Sequence, residues 1–192
     1  MAEKQVTTHQ KLIIIGGSSG SLDALLVLLP ALKKNFSIPI LLVIHRSNTI
    51  DNGLVAVLSA RISLKIKEAD EKEPLLPGWI YLAPPDYHVL LETDGTLSLD
   101  ASEKVHYCRP SIDVSFTSAA HVYKNNCTAV LLSGANADGA TAMKLIKEYG
   151  GRTIVQEPAE ALVNYMPLQA IQLAVAGEVL PAAGIAALLN TI

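Results

Sequence analysis

Three polar residues stand where chemistry could be done: Ser18 inside GGSSG, His45 at the end of an apolar run, and Asp138 in SGANADG. Gly16-Gly17-Ser18-Ser19-Gly20 satisfies G-x-S-x-G, a turn that exposes a serine hydroxyl as a nucleophile, with glycines relieving the strained backbone on either side. A histidine in reach can take the serine proton, and a carboxylate can hold the other ring N–H and stabilise the imidazolium. The chain order Ser, His, Asp differs from the Ser, Asp, His of α/β-hydrolases. The same glycine turn could instead cradle a phosphate on its backbone N–H groups. Against that reading, GGSSGS lacks the G-x-G-x-x-G spacing, the second strand ends in His45-Arg46 rather than an acidic residue, and no lysine lies between Lys11 and Lys33 to complete a P-loop. Taken singly, each residue also has a plainer role: Ser18 and Asp138 as helix caps, His45 as a partly buried histidine bonded to backbone. His88 and His106 compete as bases from a hairpin and a loop; His9 and His121 are worse placed, in a polar leader and inside a helix pattern.

These residues matter together only if the fold converges on them. Strand-like runs fall at 12–15, 38–44, 63–66, 79–82, 128–132, 153–155 and 176–180, and helical patterns at 21–33, 53–61, 112–123, 138–149, 167–174 and 182–189. The runs IPILLVI and TAVLLSG are apolar throughout, without alternation, as expected of parallel strands covered on both faces. The expected class is therefore α/β: a doubly wound, mostly parallel sheet with helices on both faces. YHVLLETDGTLSLD carries Asp94-Gly95 between two β-prone runs and predicts an antiparallel edge hairpin. In an open α/β sheet ligands bind beyond the carboxyl ends of the strands, which is where Ser18, His45 and Asp138 all fall.

Composition narrows the function classes. The chain has 192 residues, half of them hydrophobic and 17% charged, enough for one packed domain. Residues 1–10 read as a polar leader and 11–192 as the catalytic domain. A net charge of −3, with both signs dispersed, gives no footprint for nucleic acid or an anionic membrane. No stretch reads as a signal peptide or a membrane span, so a cytoplasmic protein is expected. Cys108 and Cys127 have neither disulfide-framework nor metal-ligand spacing and read as ordinary thiols.

Several separate blocks resemble the catalytic domain of the CheB-type chemotaxis protein-glutamate methylesterases. IGGSSGS resembles the family's nucleophile turn, VIH its histidine strand and SGANADGATAM its aspartate loop; YLAPPDYHV, RPSIDVSFTSAA and YMP resemble three further segments. The resemblance implies a serine esterase that demethylates γ-glutamyl methyl esters on the cytoplasmic helices of chemoreceptors, with glutamine deamidation in some members. It assigns Ser18 as nucleophile, His45 as general base and Asp138 as orienting carboxylate, with no metal or organic cofactor. The expected oxyanion donors are backbone N–H groups of the two glycine-rich turns, at Ser19 and Ala135. Arg109 is a candidate to guide an acidic receptor segment, and Tyr87 and His88 to line the same mouth, although hairpin packing is a plainer role for both. Beside Met166, a further candidate substrate contact, many members carry an arginine where this chain has Leu168 and Gln169, which puts the target protein in question more than the hydrolysis.

Two other classes stay open: a nucleotide- or phosphate-binding α/β module, and a non-catalytic receptor-binding relative. If the esterase reading holds, turnover should rise with pH as His45 becomes the neutral base. With so few residues before the first strand, no phosphorylation-receiver domain is expected there; activity without a phosphodonor, controlled by a separate protein or by receptor state, is the expectation.

Overall fold

The computed structural model describes residues 11–46 and 53–192, so the leader and His9 lie outside the described residues. Among the described residues nine strands form: β1 (Leu12–Gly17), β2 (Ile40–Ile44), β3 (Lys65–Glu68), β4 (Trp79–Leu82), β5 (His88–Leu91), β6 (Leu97–Asp100), β7 (Cys127–Leu131), β8 (Arg152–Gln156) and β9 (Glu178–Leu180). The helices are α1 (Ser21–Leu28), α2 (Leu54–Ser59), α3 (Ile112–Tyr123), α4 (Ala140–Glu148), α5 (Tyr165–Gln172) and α6 (Ala182–Leu189). Seven strands make one parallel sheet in the order β3-β4-β2-β1-β7-β8-β9. From β1 the chain goes to β2 and on to β3 at one edge, inserts β4 between β3 and β2, then crosses to β7 on the other side of β1 and winds to the opposite edge. That reversal is a topological switch point, and it puts the carboxyl ends of β2, β1 and β7 around one crevice.

Alternate residues of the same strand feed opposite layers. Leu12 and Ile14 of β1, with Leu41 and Val43 of β2, pack under α3, α4, α5 and the β5–β6 hairpin. Ile13 and Ile15, with Ile40 and Leu42, pack under α1, α2 and α6. Every residue of β1 and β2 is buried, which accounts for the unbroken apolar runs in the sequence.

The structure departs from expectation at several boundaries. The first helix stops at Leu28 and tightens into a 3-10 turn over Leu29–Ala31, because Pro30 has no N–H to continue the ladder. The α5 helix begins before Pro167, a position in the first turn where a missing N–H costs no hydrogen bond. Asp94-Gly95 does turn a hairpin, with Asp94 Oδ1 accepting from the Thr96 N–H at 3.0 Å. The hairpin is a separate two-stranded sheet rather than an edge of the main one. It is anchored on α3 by the Ser115 hydroxyl, which donates to the Val89 carbonyl at 2.7 Å.

The β1 strand runs on through Gly16 and Gly17, further than its apolar letters suggest. A Cβ on Gly16 would lie 2.5 Å from Ile112 Cγ2, so the start of α3 is seated directly on the β1 backbone. This close approach brings the α3 N-terminus to the crevice.

Candidate active site

Three strand ends are laced together by backbone hydrogen bonds. The His45 N–H donates to the Gly17 carbonyl at 3.1 Å, and the Ser18 N–H donates to the Ser133 carbonyl at 2.9 Å. Since Gly17 pairs with Ile44, Ser18 and His45 leave the sheet side by side from adjacent strands, whose usual spacing is about 4.8 Å. Asp138 arrives from the loop after β7.

Neither plain capping role applies where it was expected. The N-cap of α1 is Gly20 and that of α4 is Gly139, and neither helix has a side-chain cap. Asp138 instead serves a different helix. Its Oδ2 accepts from the Ile112 N–H at 2.7 Å, and its Oδ1 accepts from the Asp113 N–H and the Ser111 hydroxyl, each at 2.9 Å. The carboxylate thus fills the positive end of α3. It also lies 2.8 Å from His45 Nε2. Burial is complete, at 0% exposure. Burial pushes the Asp138 carboxyl up, but the hydrogen bonds from His45 and from the Asp113 and Ile112 N–H groups outweigh it and hold the group below the usual carboxylate range.

An ionised carboxylate only accepts, so the proton between Asp138 and His45 belongs to Nε2 and the neutral ring keeps its lone pair on Nδ1. That nitrogen lies 3.5 Å from Cys108 Sγ. Asn136 Nδ2 donates to the same sulfur at 3.4 Å, while Asn136 Oδ1 accepts from the Asp138 N–H at 3.2 Å. Burial, with the nearby Asp138 charge, pushes the Cys108 thiol up. The sequence marks Cys108 only as an ordinary thiol; the structure sets it beside the histidine.

Ser18 is half-buried, and among the described residues its hydroxyl is not hydrogen-bonded to His45. Its carbonyl accepts from the Ser21 hydroxyl at 2.7 Å, which fixes the turn. The Ser19 and Ala135 residues are exposed, and among the described residues neither N–H donates a hydrogen bond.

The four outer candidates divide. Arg109 lines a cavity of about 310 Å³ with His45, Arg46, Lys104 and Cys108. Its guanidinium, however, is engaged by the Ala101 and Ser102 carbonyls, at 2.7 and 2.6 Å. Tyr87 is exposed at the surface but does not line that cavity; Tyr107, 98% exposed, does. His88 is a correction: it is 1% exposed, with Nδ1 accepting from the Ser111 N–H and Nε2 donating to the Glu103 carbonyl. It therefore supports the Ser111–Asp138 contact from behind and has no face toward a ligand. Met166 is likewise corrected, being fully buried and packed against the Gly134 backbone. Of the competing histidines, His106 is paired with Asp113 at 3.5 Å and His121 with the Thr117 carbonyl at 2.8 Å. A larger hollow of about 520 Å³ lies at the other ends of the strands, around Lys11, Gly151 and Gly177, away from these groups.

Residues 13–189 match the family described as CheB methylesterase. A chain of Leptospira interrogans is 44% identical over 160 residues, which cover 83% of this chain and 83% of that one. The Nitrosospira multiformis protein named protein-glutamate methylesterase/protein-glutamine glutaminase is 36% identical over 95% of this chain, which spans 51% of its length. The crystal structure of the Thermotoga maritima CheB methylesterase catalytic domain matches with a TM-score of 0.91 at 34% identity, covering 95% of this chain and 98% of that one.

Proposed function

Because the chain belongs to the CheB methylesterase family, we propose that it hydrolyses γ-glutamyl methyl esters on a chemoreceptor-type protein through Ser18, His45 and Asp138. The observation that carries this reading is the 2.8 Å contact between Asp138 and His45 Nε2, which leaves Nδ1 as the basic nitrogen at the mouth of the crevice. Ser18 Oγ attacks the ester carbonyl carbon and passes its proton to Nδ1. The oxyanion is held by the Ser19 and Ala135 N–H groups, each worth roughly 3 kcal/mol in comparable sites. Collapse breaks the bond to the methoxy group, which leaves as methanol with the proton from Nδ1. Water then attacks the glutamyl-serine ester with Nδ1 again as base, releasing the glutamate carboxylate and restoring Ser18. A glutamine side chain would follow the same path with ammonia as the leaving group.

Cys108 is the other nucleophile beside Nδ1, but burial and the Asp138 charge keep its thiol protonated, which favours the serine. The missing Ser18–His45 hydrogen bond is of the kind that tightens only when substrate binds. The deciding measurement is methanol release from a methyl-labelled receptor fragment. Ser18→Ala and His45→Ala should each lower it by about 10⁴-fold or more while the melting curve stays that of a folded protein. A folded Ser18→Ala chain that hydrolysed the ester at near wild-type rate would remove the serine from the mechanism.

A further inference from the structure

We propose that His45 Nδ1 and Cys108 Sγ form a binding site for one soft divalent cation of the zinc class, closed by water in its remaining positions.

The first argument is distance. Zinc binds thiolate sulfur at about 2.3 Å and imidazole nitrogen at about 2.0–2.1 Å, and a tetrahedral angle between those bonds sets the N···S edge at about 3.5 Å. The edge in this protein is 3.5 Å. The separation of the two ligand atoms is thus the one a shared cation would set.

The second argument is the support behind each ligand. Metal-bound histidines nearly always donate their other ring N–H to a carboxylate or carbonyl, which fixes the tautomer and strengthens the ligand. Asp138 does this at Nε2, at 2.8 Å. It stays behind the histidine rather than joining the cation, because both of its oxygens are taken by Ser111, Ile112, Asp113 and His45. The sulfur is supported as well, by the Asn136 side-chain N–H at 3.4 Å.

Access is the third. His45 and Cys108 are half-buried and share the wall of the cavity of about 310 Å³, which has room for water ligands. The other thiol, Cys127, is buried in β7 and cannot compete. Binding replaces the Cys108 S–H bond with a metal–sulfur bond and releases that proton to solvent; no electron changes hands.

Occupancy would consume the lone pair that must take the Ser18 proton, so the cation acts as an inhibitor. This consequence rests on the esterase reading; the site itself does not. A thiol that merely hydrogen-bonds to Nδ1 would show the same 3.5 Å distance, and metal binding separates the two.

The test uses the whole chain stripped of metal and titrated with cobalt(II) and zinc(II) chloride. One equivalent of cobalt should bind with a thiolate-to-metal charge-transfer absorption. Zinc should slow alkylation of Cys108 in the unaltered protein at least about tenfold, and Cys108→Ala should weaken zinc binding by a similar factor. Cobalt binding without the thiolate absorption, or zinc that leaves both the alkylation rate and the Cys108→Ala affinity unchanged, would overturn the site. Methanol release, measured in parallel, decides the other question. Metal-free protein that binds zinc at Cys108 yet never turns over would overturn the esterase reading alone, and an active enzyme indifferent to zinc would overturn the cation site alone.

Discussion

At the scale of single residues, Asp138 does two jobs with one carboxylate: it orients His45 and it closes the N-terminus of α3. Because its native pKa is held below the ordinary value of about 3.9, ionised Asp138 favours the folded chain. That contribution is complete above the ordinary value and is lost as pH falls through the depressed native one. Asp138→Asn keeps the shape but aims an N–H₂ group at donors that need an acceptor. It should cost on the order of 2–3 kcal/mol at neutral pH, and urea unfolding at decreasing pH should show a shallower loss of stability on the acid side than in the unaltered protein. An acid limb of equal steepness in both would mean that the carboxylate's charge is irrelevant to folding. Turnover should also fall in this variant, though less than in Ser18→Ala, since the base remains. That Ser18, His45 and Asp138 come together in space was legible in the sequence because each follows a strand end, and strand ends of an open α/β sheet converge. His88 and Met166 were not: whether a polar ring or a thioether faces a crevice or the core depends on packing across layers, which no local pattern reports.

At the scale of elements, the junction of β1, β7, α3 and α4 has no spare room. Gly139, the N-cap of α4 and neighbour of Asp138, has φ +94, and a Cβ there would lie 2.5 Å from Ile112 Cγ2 and 2.9 Å from Leu131 Cδ1. Gly139→Ala combines a left-handed backbone with overpacking and should cost on the order of 3 kcal/mol. Gly95 makes the control: it is also left-handed, at φ +85, but nothing lies within 4 Å of its added Cβ. Gly95→Ala should cost only about 1–2 kcal/mol. Urea midpoints of the two variants measure the difference, and equal losses would show that crowding at Ile112 contributes nothing. Most elements could be read from apolar periodicity, and α3, α6 and β4 agree at both ends. The placement of Cys108 could not. A two-residue turn brings it back beneath Val105, with the Cys108 N–H donating to the Val105 carbonyl at 2.9 Å. Its central residues are His106 and Tyr107, at φ 50 and 63. Such turns announce themselves through Asn-Gly or Asp-Gly, and His-Tyr carries no such signal.

Across the whole molecule, stability should be graded outward from the switch point. β1 is bonded to β2 on one side and β7 on the other and is buried along its full length, whereas β9 is a three-residue edge strand with Val179 42% exposed. Native-state hydrogen exchange should find the β1 amides opening only with global unfolding and those of β9 exchanging by local fraying. Comparable protection in both strands would contradict that gradient. Among the described residues no helix is long and apolar enough to cross a membrane; separately, both faces of the sheet carry buried apolar clusters under the helices. The sharing of Asp138 between helix and histidine also bears on how such a chain could change its trade. A descendant recruited to bind its target without hydrolysing it can discard the Ser18 hydroxyl with little structural loss, since that group anchors nothing among the described residues. It cannot discard Asp138 as freely, because the Ile112 and Asp113 N–H groups at the start of α3 would lose their buried acceptor. Ancestry as a hydrolase would therefore persist as an intact aspartate in a lineage whose nucleophile had gone.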